Sequence, residues 1–159
     1  MGVKHWLHPA VKVLRDNNED NSTTQIFTDG SKSQQGVGAG IAVYRSGTHT
    51  KSLKYRLNKR CTNNQAEELA ILKSLEYIEN TQTTDKSVTI YTDSQMTLDS
   101  LQNNNIHTYL IEKIRRKATE LEQTKWKIQF RWVKAHVGIL GNELADTLAK
   151  GAATNLNIT

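Results

Sequence analysis

The sequence has little cysteine, little proline and no long apolar run. Its 159 residues include one cysteine, Cys61, and one proline, Pro9. A single cysteine excludes an intramolecular disulfide framework and a zinc site built on several cysteines, so we expect an intracellular protein. No apolar stretch approaches the ~18 residues of a membrane span, and residues 1–9 lack the apolar core of a signal peptide. We therefore expect no association with a membrane.

The length and charge are those of a single, mildly basic domain. Basic residues outnumber acidic ones by 21 to 16, which gives a net charge of +5. This excess permits a polyanionic partner but does not require one. The composition predicts one domain over residues 25–153, preceded by a linker or flexible extension at 1–24 and followed by a short tail at 154–159. We expect the isolated domain to be a monomer.

The hydrophobic periodicity predicts the order β-β-β-α-β-α-α-β-α. Three strands joined by short links indicate an antiparallel meander, and the helix that follows returns the chain to a parallel strand. The expected fold is therefore α/β, with a five-stranded mixed sheet and helices on both faces. The predicted strands are 25–28, 37–44, 53–57, 88–92 and 126–132, and the predicted helices begin near 63 and then cover 95–101, 108–123 and 142–151.

Two short peptides resemble each other, because each is an apolar strand that ends in Thr-Asp before a small residue. These peptides place Asp29 and Asp93 at the ends of their strands. If the strands are neighbours in register, the two carboxylates lie within roughly 5 Å of each other. Their repulsion raises one pKa unless a cation lies between them, and oxygen ligands favour Mg²⁺ or Mn²⁺. The alternative is that each Asp only caps a turn or a helix.

Helical spacing separates the roles of two adjacent acids, Glu67 and Glu68. Apolar residues lie 4, 8 and 11 positions after Glu67, whereas acidic residues lie 8 and 11 positions after Glu68. Glu67 is therefore predicted to face inward and Glu68 to face water. A buried carboxylate is unfavourable without a partner, and a metal shared with Asp29 and Asp93 would offset that cost.

Two further polar residues lie near the end of the domain. His136 occupies a predicted loop beside Gly138, and Asp146 lies in the first turns of the last helix. Considered alone, His136 is predicted to be a surface residue, and Asp146 is predicted to be a helix cap near the positive end of the helix dipole.

Together these motifs resemble the ribonuclease H domain of type 1, most closely the one carried by reverse transcriptases of non-LTR retrotransposons. The resemblance covers residues 24–153 and implies a sheet of order 3-2-1-4-5. The motifs that carry it are Thr28-Asp29-Gly30-Ser31, Thr62-Asn63-Asn64-Gln65-Ala66-Glu67, Tyr91-Thr92-Asp93-Ser94-Gln95, His136-Val137-Gly138 and Asn142-Glu143-Leu144-Ala145-Asp146.

The resemblance implies an endonuclease that hydrolyses the RNA strand of RNA–DNA hybrids. It implies two Mg²⁺ ions, with Mn²⁺ as a substitute, in a two-metal mechanism, and a polymerase domain in the parent chain. His136 matches the auxiliary histidine of the family, which moves a proton or aids product release. The implied ligands, which are also catalytic, are Asp29, Glu67, Asp93 and Asp146.

The resemblance also implies residues that contact the substrate. A side chain that binds the 2′-hydroxyl distinguishes RNA from DNA. The candidates are Ser31, Asn63, Asn64, Ser94 and Gln95. Lys54 and Arg56, in a basic strand, are predicted to follow the nucleic acid backbone, although a solvated strand face is the alternative. A short Asn-rich turn at 102–107 replaces the basic protrusion of some family members, so we expect weak, salt-sensitive binding.

Two other functions remain open at this point. One is a catalytically silent module that only binds nucleic acid, and the other is a DNA-directed member of the wider superfamily, such as an integrase or resolvase. Silent copies usually lose carboxylates, whereas all four are present here together with His136. The DNA-directed members lack the combination of motifs around Glu67 and Asp146. The resemblance therefore favours the nuclease.

Overall fold

The computed structural model describes residues 11–14, 20–134 and 139–154. Its strands are β1 (Val13–Leu14), β2 (Thr24–Ser33), β3 (Gly36–Arg45), β4 (Thr48–Leu57), β5 (Ser87–Thr92) and β6 (Lys127–Trp132). Its helices are α1 (Asn63–Glu79), α2 (Gln95–Gln102), α3 (Tyr109–Gln123) and α4 (Leu140–Thr154). Among the described helices, none has both the length and the apolar character needed to cross a membrane.

The strands form one mixed sheet of order β1-β6-β5-β2-β3-β4. β2, β3 and β4 are antiparallel neighbours, whereas β5 pairs in parallel with both β2 and β6. This arrangement confirms the predicted α/β fold, and without β1 the strand order is the one that the resemblance implied. The tight turn between β3 and β4 has positive φ at Ser46 and Gly47, as a type I′ hairpin requires.

The sheet has six strands rather than five, because part of the predicted linker 1–24 belongs to it. Val13 and Leu14 pair in parallel with β6, and the Phe130 N–H donates to the Lys12 carbonyl at 2.8 Å. The Val13 side chain packs against the main core. A two-residue strand is too short to show a period of two, so the polar composition around it predicted only a linker.

The two faces of the sheet are covered by different helices. α1 packs on β2, β3 and α3, and α4 packs on β2, β3 and β4. The main core lies on the α1 side and includes Ile26, Ile41, Leu75 and Phe130, all fully buried. The start of α1 is held by a capping box, in which Thr62 accepts from the Gln65 N–H and the Gln65 side chain accepts from the Thr62 N–H.

Glycine in β3 lets α4 lie very close to the sheet. A Cβ atom at Gly40 would lie 2.3 Å from the Ala145 carbonyl oxygen and 2.5 Å from the Ala149 nitrogen. At Gly38 the corresponding distance to the Ala149 oxygen is 2.3 Å. These contacts are with backbone, which cannot rotate away. The small residues of β3 therefore set the position of the helix that carries Asp146.

We expect Gly40→Ala to lower the free energy of unfolding by about 1–3 kcal/mol, because α4 must move off the sheet. The matched control is Gly151→Ala within α4, where the nearest atom to an added Cβ is Lys54 Nζ at 3.9 Å. That variant should be neutral or more stable, because alanine favours a helix. Urea unfolding measures both. Equal stability of the two variants would show that the close approach of β3 to α4 is unimportant.

Candidate active site

Two neighbouring parallel strands bring Asp29 and Asp93 together. β2 and β5 are paired through Thr28 and Thr92. Asp29 is the next residue within β2, and Asp93 is the first residue after the end of β5. Asp29 is buried, and Asp93 is half-buried. The expected juxtaposition of the two peptides is therefore present in the structure.

Glu67 reaches the same point from the first turns of α1. A Cβ atom at Gly30 would lie 2.7 Å from the Glu67 nitrogen, so glycine allows β2 to touch the start of the helix. Glu67 is buried, as its helical phase predicted. One carboxylate oxygen from each of Asp29, Glu67 and Asp93 lies within 4.8 Å of the others. Three segments distant in sequence thus supply one acidic cluster.

Asp146 lies beside this cluster but is not one of the three acids within 4.8 Å of each other. It reaches the cleft from α4, on the opposite side of the sheet from α1. Its side chain is within hydrogen-bond reach of Asp29 and forms an ion pair with Lys150, at 3.0 Å between Nζ and Oδ2. All four predicted carboxylates border one cleft of about 370 Å³. The lining residues of this acidic cleft are Asp29, Gly30, Ser31, Lys32, Asn63, Glu67, Asp93, Asn142, Asp146 and Lys150.

Burial and mutual repulsion hold protons on this cluster. Burial, and then the charge of Asp93, raise the pKa of Asp29 to about 7. Burial, and then the charges of Asp29 and Asp93, raise the pKa of Glu67 to about 10. A proton on Glu67 removes its charge beside Asp29, which stabilises the pair without a cation.

The donor set of the cluster fits a hard divalent cation. Every candidate ligand is a carboxylate oxygen, which is the donor that Mg²⁺ and Mn²⁺ prefer, and neither sulfur nor imidazole is part of the three-acid group. A cation would replace the protons that otherwise relieve the repulsion between Asp29, Glu67 and Asp93. The residues present therefore fit the metal requirement that the resemblance implied.

The predicted substrate contacts are distributed around the cleft. Ser31 and Asn63 line it directly, and Gln95 is exposed in the first turn of α2. Ser94 caps α2, because its Oγ accepts from the Thr97 N–H at 3.1 Å. Asn64 is half-buried and contacts α2 through Thr97. That these residues contact substrate stays a prediction.

The two predicted basic contacts differ in their surroundings. Lys54 is exposed on β4. The Arg56 guanidinium instead donates to the carbonyls of Ala153 at 2.9 Å and Gln35 at 2.8 Å, so it caps the C-terminal end of α4. This contact gives Arg56 a structural role that the sequence did not indicate, while a contact with nucleic acid stays a prediction. His136 lies outside the described residues.

Glu68 corrects one expectation, since it is buried rather than facing water. Its phase on α1 matched that of Glu76, which is half-buried, and of Glu79, which is exposed, but α2 covers the first turns of that helix face. Burial raises the pKa of Glu68, and Asn64 donates to its Oε2 at 3.0 Å. The helical period gives the direction of a side chain but not what lies opposite it, which is why the prediction was wrong.

Several residues of the site were not assigned from the sequence. Asn142 is buried in the cleft, with no hydrogen-bond partner for its Oδ1 among the described residues. Lys150 follows Asp146 by one helical turn, a spacing that could have identified the ion pair. The Trp132 indole N–H donates to the Asp93 carbonyl at 3.2 Å. This contact joins the ends of two strands, and nothing in the sequence near either residue predicts it.

Comparisons with known proteins agree with this geometry. A sequence model of the RNase H family matches residues 21–154. The chain is 34% identical over 142 residues to a ribonuclease H of Oleidesulfovibrio alaskensis, covering 81% of this chain and 89% of the relative. It is 32% identical over 166 residues to human ribonuclease H1, covering 95% of this chain and 57% of the human protein. The crystal structure of RNase H1 from Halobacterium salinarum superposes with a TM-score of 0.62 at 24% identity, covering 81% of this chain and 96% of that one, which supports the fold.

Proposed function

The chain belongs to the ribonuclease H family, whose members are metal-dependent endoribonucleases of RNA–DNA hybrids, and we propose that its acidic cleft performs this reaction with two Mg²⁺ ions. The observation that carries the proposal is the meeting of three carboxylate oxygens within 4.8 Å, with Asp146 on the same cleft. Carboxylates this close repel each other unless protons or cations neutralise them, and a protein that only binds nucleic acid does not need such a cluster.

Each carboxylate has a distinct place in the proposed site. Asp29 is central, since it is within hydrogen-bond reach of both Glu67 and Asp146, and this position suits a ligand shared by two ions. Glu67 must lose its proton before it can act as a ligand. When bound, the divalent ions, Mg²⁺ or Mn²⁺, lower the pKa of the attacking water and stabilise the leaving 3′ oxygen. Asp146 forms an ion pair with Lys150, which orients its side chain in the cleft.

Recognition of the hybrid is proposed to depend on polar side chains rather than on base sequence. Ser31 and Asn63 border the acidic cleft, and Gln95 is exposed on α2 close to Asp93 in sequence. Amides and hydroxyls can pair with the 2′-hydroxyl of ribose, which DNA lacks. Contacts to sugar and phosphate carry no base information, so we expect little sequence preference. For His136 we propose proton transfer or product release.

The biological setting is also a proposal. The motifs of the sequence resemble those of non-LTR retrotransposon reverse transcriptases, although the similar proteins named above are ribonucleases H. We propose an intracellular domain, monomeric when isolated, that acts beside a polymerase domain in a longer chain. An in-frame polymerase domain at the genomic locus would support this setting, and a complete free-standing ribonuclease H gene would contradict it.

The test of the proposed function is a cleavage assay on labelled substrates. We expect Mg²⁺-dependent cuts in the RNA strand of an RNA–DNA hybrid, with 5′-phosphate products and no cleavage after chelation. Double-stranded RNA and double-stranded DNA of the same sequence are the controls and should stay intact. Binding of the hybrid without cleavage would favour the silent module, and cleavage of double-stranded DNA would favour a DNA-directed nuclease.

A further inference from the structure

Glu68 is a buried acid that the proposed reaction does not use. It follows Glu67 on α1 but is not among the residues that line the acidic cleft. Only 6% of it is exposed, and a neutral amide donates to it: Asn64 Nδ2 lies 3.0 Å from its Oε2. Burying a carboxylate is unfavourable even with one such hydrogen bond. An apolar side chain at this position would be easier to bury.

The hydrogen bond to Glu68 is the end of a chain that begins on α2. Asn64 Oδ1 accepts from Thr97 Oγ1 at 3.0 Å, and Thr97 Oγ1 lies 2.9 Å from Ser94 Oγ. A hydroxyl carries a single proton, so Thr97, which donates to Asn64, must accept from Ser94. The donors therefore run in one direction, from Ser94 through Thr97 and Asn64 to the carboxylate.

The carboxylate at the end of this chain determines how the Asn64 amide is oriented. Thr97 donates to the Asn64 carbonyl oxygen on one side, and the Asn64 NH₂ group donates to Glu68 Oε2 on the other, so both ends of the amide are held. With both sides held, Asn64 still has one N–H and one carbonyl lone pair available. Asn64 and Ser94, both in this chain, are among the candidate substrate contacts that the family resemblance implies.

We propose that Glu68 is a positioning residue for substrate binding, which acts by fixing the Asn64 amide that contacts the hybrid. The inference rests on the proposed function, because it assumes a hybrid as the ligand. Glu68 touches neither the substrate nor the acidic cleft. Its replacement should therefore weaken binding of the hybrid and leave the chemical step unaffected, while relieving the burial of a charge.

The test compares Glu68→Leu, Glu68→Gln, Asn64→Ala and the double variant Glu68→Leu/Asn64→Ala. We expect Glu68→Leu to raise KM for the hybrid about 3–10-fold, with kcat within about twofold, and to keep or raise the melting temperature. Glu68→Gln retains a carbonyl acceptor and should stay close to the unmodified protein. In the Asn64→Ala background, Glu68→Leu should have no further effect on KM, because the group it orients is gone.

Three outcomes would overturn the proposal. These are additive effects of Glu68→Leu and Asn64→Ala on KM, a fall in kcat at constant KM, and a loss of stability in Glu68→Leu that Glu68→Gln shares. If the unmodified protein fails to cleave the hybrid, the proposed function fails separately. The same four variants are then compared by fluorescence anisotropy with a labelled hybrid, where additive losses of affinity overturn the role of Glu68 and non-additive losses support it.

Discussion

Glu67→Gln should lower kcat on an RNA–DNA hybrid by at least about 10³-fold, or about 4 kcal/mol of transition-state stabilisation. The substitution removes one carboxylate from the cluster in which three oxygens lie within 4.8 Å. We do not expect unfolding of the variant to be the cause of this loss of activity. Without metal the pKa of Glu67 is about 10, so at pH 8 its carboxyl is already neutral and an amide closely imitates it.

The matched control is Glu68→Gln, which makes the same chemical change one residue further along α1. Its kcat should stay within about threefold of the unmodified enzyme, because Glu68 lies outside the acidic cleft. Steady-state kinetics and thermal unfolding of both variants, purified in parallel, measure the difference. Inactivation of Glu68→Gln with full activity in Glu67→Gln would reverse the assignment of the two acids.

The metal-free domain should become less stable as the pH rises from 5 to 8. The pKa of Asp29 in the folded chain, about 7, and that of Glu67, about 10, both exceed the usual values of about 4. The unfolded chain therefore releases these protons first. The stability that the two protonated carboxyls contribute is fully present below pH 4. It is lost as the pH rises through the pKa values of the folded state, first that of Asp29 and then that of Glu67.

Mg²⁺ should restore this stability at pH 8. At a concentration 100 times its dissociation constant it should contribute about 2.7 kcal/mol, or roughly 5–10 °C in melting temperature. The shift should be much smaller at pH 5, where protons compete for the same oxygens. Na⁺ at equal ionic strength is the control for screening. An identical Mg²⁺ shift at both pH values, or one retained in Glu67→Gln, would show that the cluster is not the binding site.

The order of the elements was readable from the sequence because it depends on local periodicity. The Asp29 and Asp93 peptides each end an apolar strand, and the pairing of Thr28 with Thr92 then follows from a parallel β2–β5 pair. The burial of Glu67 was also predictable from the local helical spacing of the residues that follow it. The structure agrees with these predictions because the backbone geometry itself sets the periods of helices and strands.

Other features depended on contacts between distant segments. Val13 was assigned to a linker, although its strand pairs with Phe130, over one hundred residues away in the chain. Arg56 was assigned to the substrate, although two backbone carbonyls at 2.8 and 2.9 Å accept from its guanidinium. The Val13 contact has no local signal, because it depends on pairing between distant strands of the sheet. The carbonyl contacts of Arg56 depend in the same way on the packing of α4 against the sheet, and its contact with nucleic acid stays a prediction.

By itself, the amino-acid sequence determined the α/β class, the order of the elements from β2 to α4, and the candidacy of Asp29, Glu67 and Asp93 for a metal site, since all of these depend on short-range spacing and residue type. Only the tertiary structure decided that Glu68 is buried, that Asn64 is held between Thr97 and Glu68, and that Asp146 reaches Asp29. The physical reason is that burial and hydrogen bonding depend on what the fold places opposite a side chain, and that neighbour is supplied by another part of the chain.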